Sequence, residues 1–73
     1  MMNWAEAGRK WVRLAKRGWT GTLEGPLTEG TTKGMYRCTF RKLEGDDQIT
    51  GLGTSGEEAI ADAVNRVEKL AAV

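Results

Sequence analysis

The chain has 73 residues and a mass of 8.0 kDa, enough for one small domain, 1–73, and its 11 Lys and Arg against 10 Asp and Glu leave a formal charge of +1. With no His and a single Cys, it has no Ser-His-Asp or Cys-His machine, no zinc site of about four Cys or His ligands and no disulfide framework. Hydrophobic residues make up 40% and charged residues 29%, the balance of a folded globular chain rather than a disordered one. No apolar run approaches the roughly 18 residues that span a bilayer, so no membrane partner is expected. No cofactor, metal or catalytic residue is expected either.

The first element runs from Asn3 to about Arg17. Asn3, with Glu6 three residues on, has the pattern of a helix N-cap. Steps of about 100° per residue place Trp4, Ala7, Gly8, Trp11, Val12, Leu14 and Ala15 on one arc. Glu6, Arg9, Lys10, Arg13, Lys16 and Arg17 fall on the other. The spacing predicts an amphipathic helix with a basic outer face, stopped by Gly18. Trp19 to Glu24 reads as a short strand, and Gly25-Pro26 breaks it. Residues 25–34, with their Gly, Pro and Thr, read as a flexible loop. Met35 to Glu44 alternates: Tyr36, Cys38 and Phe40 point one way, Arg37, Thr39 and Arg41 the other. Glu44 to Asp47 supplies turn chemistry. Gln48 to Leu52 predicts a third strand, in which Gly51 and Gly53 mark a bend or a close backbone approach. Ser55 and Glu58 open a final helix as a capping box, and Ile60, Ala63, Val64, Val67, Leu70 and Ala71 form its apolar stripe.

The order helix, strand, strand, strand, helix predicts an α+β fold. It is a two-layer α-β-β-β-α domain, with a three-stranded antiparallel sheet and two helices packed on one face. Trp4, Trp11, Tyr36, Phe40 and Cys38 are assigned to the core. Trp19 could join them or stand as a partner anchor at the helix–strand junction. The lone Cys38 fits a small buried hydrophobe in a reducing, cytoplasmic compartment.

The near-neutral total is a cancellation. Residues 1–17 carry a net +4, residues 18–42 a net +2 and residues 43–73 a net −5. Arg9, Lys10, Arg13, Lys16 and Arg17 are the leading candidates for partner binding, because Glu6 is the only acid among them and a solvated helix face mixes signs more thoroughly. Lys33, Arg37 and Arg41 form a second basic group if the outer face of the sheet is open. Asp46, Asp47, Glu57 and Glu58 are read as turn and helix-capping residues.

Element order, size and the run Gly51-Leu52-Gly53-Thr54-Ser55-Gly56-Glu57-Glu58-Ala59-Ile60, followed by Ala63-Val64, resemble the double-stranded-RNA-binding domain. The Gly25-Pro26 pair sits where that family has a Gly-Pro. The resemblance implies that family's fold, with duplex RNA as ligand. It also implies Lys at the positions of Gly56, Glu57 and Ile60, where the family grips phosphates, and a loop His near Thr28. None of these groups is present, and a carboxylate at Glu57 reverses the sign of the interaction with phosphate. The start of the last helix also resembles the HicB-like antitoxin module. Size and style resemble small phage or mobile-element inhibitors, anti-CRISPR proteins among them. The expected function is therefore non-enzymatic binding to a host protein or ribonucleoprotein complex through a charged surface. Nucleic acid is the alternative partner, an antitoxin or regulator role the third, and exposed strand edges leave room for a homodimer.

Overall fold

A computed structural model describes residues 3–71. Its elements are helix α1 (Trp4–Lys16), strands β1 (Trp19–Glu24), β2 (Tyr36–Lys42) and β3 (Gln48–Gly53), and helix α2 (Gly56–Ala71). The sheet has the order β1-β2-β3, antiparallel throughout, with Gly21 opposite Phe40 and Cys38 opposite Gly51. Both helices lie on the face that carries Phe40 and Cys38, as the α+β reading expects. Among the described residues no helix is long and apolar enough to cross a membrane.

The local causes are those of the sequence. The Asn3 side chain accepts a hydrogen bond from the Glu6 N–H at 2.8 Å and so satisfies one orphan donor of α1. Gly18 follows the helix with φ +89°, the left-handed conformation that stops it. At α2 the Ser55 hydroxyl accepts from the Glu58 N–H at 3.2 Å. The Glu58 carboxylate reaches back one residue further than a capping box requires, to the Thr54 N–H at 2.9 Å and the Thr54 hydroxyl. These bonds from Thr54 hold the Glu58 carboxyl below the usual range.

The span 25–34, expected as a plain loop, is more ordered than its composition suggests. It contains a short 3-10 turn, Gly30–Thr32, and Leu27 closes it through its N–H to the Met35 carbonyl and its carbonyl to the Gly34 N–H.

The core is built from Ala7 and Leu14 of α1, Trp19, Cys38 and Phe40 of the sheet, and Ala59, Ile60, Ala63, Val64 and Val67 of α2. Trp11 stands edge-on to Phe40 with ring centroids 5.0 Å apart. Trp19, left open between core and anchor, is buried, and the Lys42 ammonium lies 5.6 Å from its ring centroid. Cys38 is fully buried, and desolvation pushes its thiol up to about 11. Its reactive thiolate is therefore scarce at neutral pH. A thiol reagent is expected to label Cys38 at the rate of unfolding in buffer and at once in denaturant; fast labelling of the native protein would contradict this burial.

α2 can sit close on the sheet because the residues between them are small. Gly51 and Gly53 face Ala59 and Ala63, so the two backbones approach to a distance at which a Cβ on either glycine would strike the helix main chain. Of the two readings of these glycines, bend or close approach, the structure shows the close approach.

Candidate functional site

The first helix departs from its expected burial. Its apolar arc is about 160° wide, yet Ala7, Trp11 and Leu14, which meet the core, occupy only about 60° of it. The remainder faces solvent. Trp4 is 58% exposed and Val12 53% exposed, and Ala5, Gly8 and Ala15 are exposed as well. The assignment of Trp4 to the core is thus corrected. A three-stranded sheet and one neighbouring helix do not offer enough surface to cover so wide an arc. Trp4 still rests one edge of its indole over Gly56, where an added Cβ would lie 2.7 Å from Cη2 of the ring.

Trp4, Gly8 and Val12 follow one another at four-residue spacing and line up along the helix over about 12 Å. Gly8 makes a notch between the two larger side chains, since a Cβ there would meet nothing within 4 Å. Ala5, Arg9, Arg13 and Lys16 border this row to make a shallow, open groove of about 530 Å³ on the surface of α1. An apolar floor thus runs beside a rim of three cations.

The eight cations expected to bind a partner are distributed over several places. Arg9, Arg13 and Lys16 line the groove. Arg17 caps α1 and joins Trp19, Lys42 and Leu70 around a smaller hollow at the end of the sheet, while Lys10 is half-buried on the other side of the helix. Arg37 and Arg41 stand on the opposite face of the sheet, which carries no helix, and Lys33 lies in the loop after the 3-10 turn. The two basic groups are therefore not brought together. Arg37 is also compensated, with Nη2 2.8 Å from the carboxylate of Glu24, its direct cross-strand partner. None of the five cations of α1 and its cap takes part in an ion pair among the described residues.

At the start of α2 the three positions where the resemblance implies Lys hold no cation. Gly56 is buried under Trp4 and Leu23, Ile60 is 3% exposed, and Glu57 carries the wrong charge. Comparison of the chain with family models, with curated proteins and with solved structures found no match. The functional reading therefore rests on the geometry of α1. Among the described residues no three His, Cys, Asp or Glu side chains are grouped to hold a metal ion.

Trp4, Gly8 and Val12 lie on the arc that periodicity turns inward, yet they face solvent, and Ala5, which the sequence assigns to neither arc, is exposed beside them. The available signal was the width of their arc, which exceeds what one seam of contact can bury.

Proposed function

We propose that this protein is a non-enzymatic binding module that seats α1 on an acidic surface of a partner protein or ribonucleoprotein complex and blocks access to that surface. The observation that carries the reading is the exposed Trp4–Gly8–Val12 row flanked by Arg9, Arg13 and Lys16, which form no ion pair among the described residues. An exposed Trp beside Arg is the composition of an interface hot spot. The cations add steering toward a partner of opposite sign. The setting we infer is that of the small phage or mobile-element inhibitors, for which a body of 31 × 27 × 19 Å is sufficient to occlude a site on a larger complex. Duplex RNA is supported less well, because the first turn of α2 brings a carboxylate and buried apolar atoms where cations would be needed.

The test is capture from nuclease-treated host lysate with the wild-type protein and with the double variant Arg9→Glu, Arg13→Glu. The wild type is expected to retain a partner after nuclease treatment. The double variant is expected to lose it by at least about 100-fold in affinity, with an unchanged circular dichroism spectrum, since both side chains are exposed. Equal capture by the two proteins would remove α1 from the reading. Retardation of duplex RNA at low salt, fading steeply as salt rises, would replace it with nucleic-acid binding.

A further inference from the structure

We infer that β1 is a dimerisation edge, at which two copies of this chain pair their β1 strands antiparallel about Gly21 and join their sheets into one of six strands.

The backbone groups of an antiparallel strand alternate between its two sides. In the hairpin that ends β2, the Lys42 N–H donates to the Asp47 carbonyl on the β3 side at 3.0 Å, and the Leu43 N–H donates to the Gly18 carbonyl on the β1 side at 2.8 Å. Carried along the register, this alternation turns the backbone groups of Thr20, Thr22 and Glu24 toward β2. Those of Trp19, Gly21 and Leu23 face outward. Among the described residues nothing hydrogen-bonds these three outward N–H groups. The opposite edge is treated differently. There the outward N–H of Leu52 donates to Asp62 Oδ2 at 3.0 Å, and Arg66 Nε holds the same oxygen at 3.2 Å. A carboxylate from α2 therefore occupies one end of the β3 edge, at Leu52, and β1 has no such guard. Nor does β1 contain a Pro, a Lys or a bulge, the usual devices that blunt an edge.

The composition of β1 fits a second copy of itself. With Gly21 opposite the partner's Gly21, no side chain occupies the two-fold axis. Trp19 then lies opposite the partner's Leu23 on the inner face, and Thr20 lies opposite the partner's Thr22 on the outer face. Glu24 lies opposite the partner's Gly18, beside the partner's Arg17, so no charge faces its like. Trp19, Gly21 and Leu23 all form hydrogen-bonded pairs in this register, which supplies about six ladder bonds.

The test uses the outer face, where Thr20 and Thr22 are exposed and accept charge without touching the core. Light scattering on the eluting wild type at high concentration is expected to give twice the 8.0 kDa chain mass. The variant Thr20→Asp, Thr22→Asp sets two pairs of like charges across the axis and is expected to elute as a monomer, as is Thr20→Lys, Thr22→Lys. Mixing the two variants is expected to restore the dimer, a rescue that a merely structural effect would not give. Amide exchange at Gly21 and Leu23 is expected to slow only in the dimer. A wild type monomeric at every concentration would overturn the proposal. So would a dimer that persists in the Asp variant, or one that is lost instead in Arg9→Glu, Arg13→Glu. Neither Thr20 nor Thr22 lies on the α1 groove, so failure of the dimer at β1 leaves the proposed function standing.

Discussion

Gly51→Ala is expected to unfold most of the protein at conditions where the wild type is stable. An added Cβ at this position meets the backbone nitrogen of Ala63, and it lies 2.7 Å from both the Ala59 carbonyl oxygen and Ala63 Cα. These are main-chain atoms, so no side-chain rotation relieves the collision. α2 must lift from the sheet, and it carries Ile60, Val64 and Val67 out of the core as it does so. Overpacking against movable side chains costs about 1–3 kcal/mol, and against fixed backbone the cost is set above about 3 kcal/mol. A chain of this length holds a total of about 4–11 kcal/mol. Urea denaturation followed by tryptophan fluorescence is the measurement, with a midpoint expected to fall by at least about a quarter. Gly8→Ala is the matched control. Its Cβ enters open space on the α1 surface, and replacing a mid-helix glycine by alanine is worth about 0.5–1 kcal/mol of added stability. If Gly51→Ala left the midpoint unchanged, the close seat of α2 on β3 would be wrong.

Trp4→Ala and Trp11→Ala are expected to separate binding from folding. The two indoles lie seven residues apart on the same helix and occupy the same apolar arc, yet their environments differ. Trp11 meets Phe40 edge-on and fills the space over Gly21, so its loss opens a cavity beside the best-buried aromatic of the core. That costs about 3 kcal/mol or more, or a fall in Tm of about 15 °C or more in a domain of this size. Trp4 is 58% exposed and gives up only the contact of its ring edge with Gly56 and its neighbours. Its removal is expected to lower Tm by less than about 8 °C, the shift for roughly 1 kcal/mol. On the proposed reading Trp4 is the anchor of the docking groove, and truncation of such an anchor costs about 2 kcal/mol of affinity or more, roughly 30-fold. Calorimetry of unfolding and titration against the captured partner check the two halves. A Trp4→Ala protein that binds its partner at wild-type strength would move the interface away from the groove.

Much of the fold was legible because its signals are local. The Asn3 and Ser55 caps, the stop at Gly18, the alternation from Tyr36 to Arg41 and the stripe of α2 each depend on residues within a turn or two of one another. Even the close approach at Gly51 and Gly53 was marked, since a strand that keeps glycines on one face invites a backbone against them. The 3-10 turn at 30–32 was not legible, because it is held by closure of the whole loop between Leu27 and Met35.

The candidate site was half legible. The cations of α1 could be named from their spacing, and Arg9, Arg13 and Lys16 are where that spacing puts them. Their division from Arg37 and Arg41 by the sheet, and the pairing of Arg37 with Glu24, depend on which strands lie side by side. By itself the sequence determined the near-neutral total with its basic N-terminal half, the α-β-β-β-α order and the chemistry of each helix face. Only the tertiary structure decided how much of the apolar arc of α1 would be covered. Periodicity reports which side of a helix is apolar, but the width of the buried seam is set by what packs against it. Here one helix and a three-stranded sheet cover Ala7, Trp11 and Leu14 and leave Trp4, Gly8 and Val12 to water.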